Sequence, residues 1–438
     1  MDERVSYGSL KYPEQPVNLP SNRNEAEYGS DAMADTLSDM GFKHVFHLPG
    51  SSFRGLHDSL VNHNRNQEPE MIMGTHEAIV LAMAHGYAKA SGQTALAIVH
   101  DLVGLMTGSV GVYDIWCDRV PVLILGGSGP HDPARRRYID WAHTASMQSD
   151  LVKPFCKWTH EPLTLKSTLD AILKANKLSS TVPRGPTYVC IDLGVQEDGI
   201  PDTFVPIDAG HSKYQPPPPV APNPDALKEA TEMLLNAELP LIVAGRLGRE
   251  RKAKEALIYL LDLTGAACLD DRHLVAFPTA HPQNLNGDHE IQSEADVVLA
   301  LDCVDSTQAY DGHVKGVEGR DNLMVIEMGL EQTLTSTWSH FGGPVSAIDL
   351  QIDCDPHLGL ALLLGKIKER LQGDKGLHAK IAGRKKILAE RHLKLRNAQH
   401  QRWQESWDGS PIATARMVQE LYEAVKTKPW TMVLRNNR

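Results

Sequence analysis

The sequence predicts an α/β fold made of two doubly wound, mainly parallel-sheet units, with the start of a third behind them. Three observations lead there. Short apolar runs of strand length alternate with longer helical stretches through most of the 438 residues. Val122-Leu123-Ile124-Leu125 is apolar at every position, as a strand covered on both faces requires. Turn-forming or small residues follow several strand runs: Pro49-Gly50, Gly74–Glu77, His100–Gly104 and Gly126–Gly129. Ligands in such sheets sit at the carboxyl ends of strands, so these four turns are expected to share one edge.

Composition narrows the class. Hydrophobic residues make up 42% and charged residues 23%, as in a soluble globular protein. The net charge of −11 and the lack of a basic block argue against a nucleic-acid partner. Six cysteines are widely spaced with no CxxC pair, which suits reduced thiols in a cytoplasmic protein and not a disulfide framework or a zinc site. The N-terminus lacks a basic and an apolar leader region, so no signal peptide is expected. No apolar run approaches membrane-spanning length, so no membrane partner is expected either.

In chain order, residues 1–27 read as a polar, proline-punctuated arm. A helix follows from Ser30, with Met33, Leu37 and Met40 on one stripe and Gly41 as its stop. Val45–Leu48 is a strand, and Pro49–Ser52 turns into a helix with Phe53, Leu56 and Leu60 inward. Glu70–Met73 is a strand leading to a helix from about Thr75, its expected N-cap, to Ser91-Gly92. Strand Thr94–Val99 ends in His100-Asp101 and runs into a segment dotted by Gly104, Gly108 and Gly111. After Val122–Leu125 come the loop Gly126–Gly129, a charged loop with Arg135–Arg137, a helix over about Leu165–Lys177 and strand Pro186–Asp192. The first unit therefore spans 28–195. Residues 196–222, with Pro216–Pro219, read as a stiff linker. The second unit, 223–405, opens on the cap Asn223-Pro224-Asp225. Its strands are expected at Pro240–Ala244, Ala266–Leu269, Val297–Leu301, Leu323–Ile326 and Ala347–Ile352, with a charged helix over Leu377–Gln401. Gly245-x-x-Gly248 is not a full dinucleotide loop. Residues 406–438 hold a helix with Met417, Leu421 and Val425 inward, then a strand over Trp430–Leu434. The chain is thus expected to stop inside a third unit.

One carboxylate stands out. Glu77 is the only Asp, Glu, Lys or Arg between Met71 and Tyr87, in the first turn of an Ala-, Met- and Leu-rich helix. A negative charge suits a helix N-terminus, but burial in apolar surroundings costs free energy unless a partner shares its proton.

Several segments, in order, resemble one family. Phe46-His47-Leu48-Pro49-Gly50-Ser51-Ser52-Phe53 resembles the Pro-Gly segment of thiamine-diphosphate-dependent enzymes. His76-Glu77 with Met83-Ala84-x-Gly86-Tyr87-Ala88 resembles their glutamate helix, and Asp118-Arg119-Val120-Pro121-Val122-Leu123-Ile124 the strand that follows. Gln148-x-x-Asp150 through Pro154-x-x-Lys157-Trp158, then Phe277-Pro278 with His281-Pro282 and Ala295–Leu299, continue the match. Over about residues 30–355 the chain is similar to the acetolactate synthase and benzoylformate decarboxylase superfamily. The resemblance implies a pyrimidine-binding domain, a Rossmann-like central domain and the truncated start of a diphosphate-binding domain.

It also implies a chemistry. Glu77 would hydrogen-bond the aminopyrimidine, favouring the tautomer that forms the C2 ylid, which attacks a 2-oxo acid carbonyl and leads to decarboxylation or carboligation. His100 falls where benzoylformate-decarboxylase-like members carry an active-site histidine, a residue able to move protons near neutral pH; the alternative is a strand-end histidine bonded to backbone. Pro49, Gly50 and Gly104 would contact cofactor, and Ser51, Ser52, Asp101 and Gln148 are substrate-pocket candidates. His76 reads as a helix-start hydrogen bonder, while His47 and His143 stay unassigned. The family's Gly-Asp-Gly motif for Mg²⁺ is absent from these residues, so no metal ligands are expected here and the Mg²⁺ site is expected in the missing domain. FAD on the central domain, through Arg246 and Arg272, is permitted and not demanded. Because the family builds its site from two subunits, a homodimer or homotetramer is implied. The rival readings are a regulatory or scaffolding relative and one chain of a split enzyme.

Overall fold

The computed structural model describes residues 25–250, 252–270, 277–303, 323–330 and 347–430. Two all-parallel sheets carry the fold. The first contains β1 (His44–His47), β2 (Glu70–Met73), β3 (Ala95–Val99), β4 (Val122–Ser128), β5 (Trp158–His160) and β6 (Pro186–Asp192). Their order across the sheet is β2-β1-β3-β4-β6-β5, every neighbour pairing parallel. The helices of this half are α1 (Gly29–Asp39), α2 (Arg54–Asp58), α3 (Glu77–Ser91), α4 (Leu102–Cys117), α5 (Tyr138–His143), α6 (Leu165–Ser180) and α7 (Leu193–Glu197).

Strand alternation sorts the core into two layers. Leu96, Ile98, Leu123, Leu125, Val189 and Ile191 point to the side of α1 and α6, where Met33, Leu37, Leu169 and Ile172 meet them. Ala95, Ala97, Val99, Val122, Ile124 and Tyr188 face Val80, Leu81 and Ala84 of α3 and Leu105, Val112 and Ile115 of α4. Gly41, just past α1, has φ +81°, and Gly92, the C-cap of α3, has φ +74°, conformations that glycine adopts without a side-chain clash.

The second sheet has β7 (Pro240–Ala244), β8 (Ala267–Asp270), β9 (Val297–Leu301), β10 (Met324–Gly329) and β11 (Leu350–Asp353), in the order β11-β10-β9-β7-β8. Around it lie α8 (Pro224–Asn236), α9 (Ala253–Thr264), α10 (Ile291–Glu294), α11 (Pro356–Leu371) and α12 (Lys375–Glu405). Asn223 caps α8 through Asp225 N at 2.8 Å, with Pro224 at the first helical position as expected.

Four readings of local structure change. The helix with Glu77 begins two residues after Thr75, and His76 is its cap. The segment dotted by Gly104, Gly108 and Gly111 is the helix α4; there the glycines lie against α3 and let the two axes approach. Residues 126–128 belong to β4 and not to a loop. A Cβ at Gly126 would overlap Tyr188, and one at Gly127 would overlap Ser52. Met417 and Leu421 are exposed on α13 (Thr414–Val425), which buries no residue. Residues 1–24, Arg272 and residues 431–434 of the expected last strand lie outside the described residues. All six cysteines are free, and no helix among the described residues is long and apolar enough to cross a membrane.

His47 at the end of β1 is fully buried, beside Phe53 and His57, and neither ring nitrogen has a hydrogen-bond partner. Burial, then the neighbouring His57, hold its pKa down to about 4. The unfolded chain binds this proton near the ordinary value of 6.5, and the fold only near 4. Stability is therefore lost as pH falls from about 6.5 through about 4, by at most on the order of 3 kcal/mol. Urea unfolding at about pH 7 and about pH 4.5 is expected to show a smaller loss in His47→Leu than in the native chain; equal losses would count against this account.

Candidate active site

Strand order determines where the site lies. The chain reverses direction across the sheet between β1 and β3, and at such a switch the loops leaving neighbouring strands diverge and open a crevice. The loop after β1 carries Gly50–Ser52, and the turn after β3 carries His100-Asp101. The turn after β2 is tied to the same edge, since Gly74 N donates to His47 O at 2.8 Å. That tether brings Glu77 to the crevice.

Glu77 is the first residue of α3 and is 8% exposed. His76 Nδ1 accepts from Ala78 N at 3.1 Å and caps the helix, so Glu77 is not spent on capping. Thr107 Oγ1 of α4 donates to Glu77 Oε2 at 2.8 Å. The other oxygen faces Gly104, where an added Cβ would lie 2.9 Å from Oε1 and 2.6 Å from His100 Cβ. One carboxylate oxygen is thus anchored and the other is kept clear of any side chain at position 104. That is the arrangement an incoming N–H donor needs.

His100 lies on the far side of Gly104. Its Nδ1 is 2.7 Å from Ser52 Oγ, and a Cβ on Gly50 would come within 2.7 Å of the same nitrogen. Ser52 is held in turn: its carbonyl accepts from Gln196 Nε2 at 3.0 Å, while Gln196 Oε1 accepts from Leu56 N at 3.2 Å. Asp101 is 2% exposed. Its Oδ1 is 3.7 Å from His100 Nε2, and its Oδ2 is 3.8 Å from His143 Nδ1, from the last turn of α5. The His100 and His143 rings meet edge to face at 5.5 Å.

The electrostatics follow from burial. His100 is held below the ordinary imidazole pKa by burial and then by His143, with Glu77 pulling the other way. The Asp101 carboxyl is pushed up to about 6, chiefly by burial, with His143 opposing. Near neutral pH the cluster therefore contains a neutral His100 beside a carboxylate whose proton affinity lies near the working range.

The structure brings Gly50, Ser52, Glu77, His100, Asp101 and Gly104 together. Pro49 and Ser51 are at the rim and exposed, and Ser51 O accepts from Arg54 Nη1 at 3.1 Å. Gln148 is placed differently from a pocket-lining residue: its amide nitrogen donates to Gly127 O at 3.1 Å and to Tyr188 Oη at 2.7 Å, bracing β4 against β6. Thr107, His143 and Gln196 join the site from segments whose local sequence announces nothing. Thr107 required α4 to be recognised as a helix, one turn past Gly104. Arg135 pairs with Asp198 at 2.7 Å and Arg137 with Glu197 at 3.6 Å, so the basic run braces α7. Arg246 lines a different cavity, with Lys89, Asp118, Arg119 and Arg184 at the opposite end of α3. That end is roughly 18 Å along the helix from Glu77.

Residues 28–149 match the family described as thiamine pyrophosphate enzyme, N-terminal TPP binding domain. A benzoylformate decarboxylase from Pseudomonas aeruginosa is 30% identical over 178 residues, covering 40% of this chain and 32% of the relative. A probable acetolactate synthase large subunit from Methanocaldococcus jannaschii is 23% identical over 287 residues, covering 63% and 47%. The chain thus spans from about a third to just under half of the length of these relatives. Among solved structures, benzoylformate decarboxylase from Polynucleobacter necessarius superposes with a TM-score of 0.63 at 18% identity, covering 77% of this chain and 61% of that one. A 4-hydroxybenzoylformate decarboxylase from Rhodococcus jostii gives 0.60 at 19% identity, covering 78% and 62%. At these identities the superpositions establish the fold.

Two glycine substitutions test the packing. Gly104→Ala is expected to cost about 1–3 kcal/mol, because the new methyl meets His100 and Glu77. Gly86→Ala, on α3 with open space around it, should instead gain about 0.5–1 kcal/mol from helix propensity. Thermal unfolding of both variants reads the contrast; a Gly104→Ala chain as stable as Gly86→Ala would refute the close approach.

Proposed function

We propose, from the premise that residues 28–149 belong to the N-terminal domain family of thiamine pyrophosphate enzymes, that this chain supplies the pyrimidine half of an active site for 2-oxo acids. The observation that carries the reading is Glu77: buried at a helix start, anchored through one oxygen to Thr107 and open through the other across Gly104. Those residues fit the cofactor. Thiamine diphosphate, when bound, supplies an aminopyrimidine to hydrogen-bond and a thiazolium that accepts the electrons released as a carboxylate leaves.

This chain's own residues then have distinct tasks. Glu77 would hold the pyrimidine ring through a hydrogen bond in which a proton is shared between the carboxylate and a ring nitrogen. Thr107 keeps the carboxylate in one orientation. Gly104 and Gly50 leave room above the two reactive side chains. His100, kept neutral by burial and oriented by Ser52, is able to take or give a proton at the substrate. Asp101 sets the charge around it. The balance between decarboxylation and carboligation is decided by the second carbonyl partner. With pyruvate, 2-acetolactate would point to a synthase, and an aldehyde product to a decarboxylase. Mg²⁺ and the diphosphate would be held by residues outside this half.

In an enzyme assembled with a diphosphate-binding domain, on the same chain or a partner, Glu77→Gln is expected to lower kcat by about 10²–10⁴-fold. Turnover within about twofold of the native rate would sink the reading.

A second copy of the chain is the partner we infer for the face beside Glu77. Val103, Met106 and Val110 form one stripe of α4 and are 41%, 56% and 67% exposed, and Met73 and Ile79 nearby are 50% and 47% exposed. Val110→Asp should shift the sedimentation of the chain toward the monomer without lowering its thermal stability. An unchanged association constant would remove this face from the interface.

A further inference from the structure

We propose that His100, Asp101 and His143 form a binding site for a borderline transition-metal cation of the zinc type, in addition to any metal that accompanies a diphosphate. One atom from each residue falls within a 4.8 Å span of the others. The nearest pairs are His100 Nε2 to Asp101 Oδ1 at 3.7 Å and His143 Nδ1 to Asp101 Oδ2 at 3.8 Å. Tetrahedral zinc with ligand bonds of about 2.0–2.2 Å sets its ligand atoms roughly 3.4 Å apart. The three residues are therefore somewhat open for a metal, and the widest pair must close by about 1.4 Å. His143 can make that adjustment, since it is on the short helix α5 with its side chain 29% exposed.

Two further observations point to a ligand. Asp101 is 2% exposed, and its Oδ1 has no hydrogen-bond partner although it is buried. His143 Nδ1, aimed at the same carboxylate, is likewise buried and unpartnered. Buried polar atoms of this kind carry a desolvation cost that a cation would offset. The outer support is also present. A metal on His100 Nε2 requires the ring proton on Nδ1, and Ser52 Oγ stands 2.7 Å from Nδ1 to accept it. Two imidazoles and one carboxylate leave a fourth position open for water or substrate. The same donors are a poor match for Mg²⁺ or Ca²⁺, which prefer all-oxygen shells.

The binding claim stands without the thiamine reading, because it concerns only these three side chains. Its consequence does rest on that reading: a cation on Nε2 would occupy the lone pair that His100 uses for proton transfer, so zinc would inhibit turnover reversibly.

The test is Co²⁺ and Zn²⁺ titration of the 438-residue chain without thiamine diphosphate. Expected are one tight site per chain, visible Co²⁺ ligand-field bands that Zn²⁺ abolishes, and no competition from Mg²⁺. His143→Ala should weaken binding by more than about tenfold, and Asp101→Asn likewise. His85→Gln, which alters a histidine paired with Asp118 at 2.9 Å outside the cluster, should bind as the native chain does. No saturable Co²⁺ site, or a native affinity in His143→Ala, would overturn the proposal. So would a His85→Gln chain that loses affinity as His143→Ala does. None of these outcomes bears on Glu77, whose role is read separately from turnover.

Discussion

The close approach of α3 to α4 is the constraint on which the rest of the site depends. Helix axes approach most closely where one surface lacks side chains, and α4 provides that with Gly104, Gly108 and Gly111. At Gly108 and Gly111 an added Cβ would come within 2.9 and 2.7 Å of Leu81. Each interior glycine costs helix stability, roughly 1 kcal/mol against alanine. The buried contacts of Leu81, Leu105, Val112 and Ile115 offset that cost. The same approach puts Thr107 within hydrogen-bond reach of Glu77 and leaves open space over its second oxygen. Packing and chemistry thus share one row of glycines.

The second constraint is electrostatic. Glu77, His100, Asp101 and His143 are all drawn to the crevice where β1 and β3 diverge, and Glu77 and Asp101 are buried there. Burial pushes His100 and Asp101 toward their neutral forms, while Glu77 and His143 pull the other way. The result is a neutral imidazole beside an acid that titrates near pH 6. A proton-transfer site benefits from such matched affinities. The unpartnered atoms of Asp101 and His143 leave the cluster short of donors and cations, which is why it invites a ligand.

Much of this architecture was legible along the chain. Strands Glu70–Met73, Pro186–Asp192, Pro240–Ala244 and Val297–Leu301 have the bounds that their apolar runs predict. The last three are buried at every position, so nearly all their residues must be apolar and the signal is continuous. Helix caps at Asn223 and Gly92 were equally plain, because each depends on one residue's local geometry. Glu77 and His100 stood out as polar groups in apolar or strand-end settings. The α4 helix was obscured because glycine carries a poor intrinsic helix propensity, and only a neighbouring helix explains it. Met417 and Leu421 misled for the converse reason: a helical stripe is apolar whether or not a partner covers it.

What the sequence by itself determined is most of the strands and long helices, the parallel class of the sheets and the identity of the lone acid at a helix start. These follow from periodicity, capping and charge within a few residues of each position. The tertiary structure alone decided which groups meet. Ser52 reaches His100 across 48 residues, Thr107 reaches Glu77 across 30, and Gln196 reaches Ser52 across 144. His143 faces Asp101 because α5 follows β4 back to the crevice. Gln148, a pocket candidate by position, turned instead to Tyr188 and Gly127. Contacts of this range are set by strand order and helix packing, and strand order is a property of the closed sheet that no local window contains.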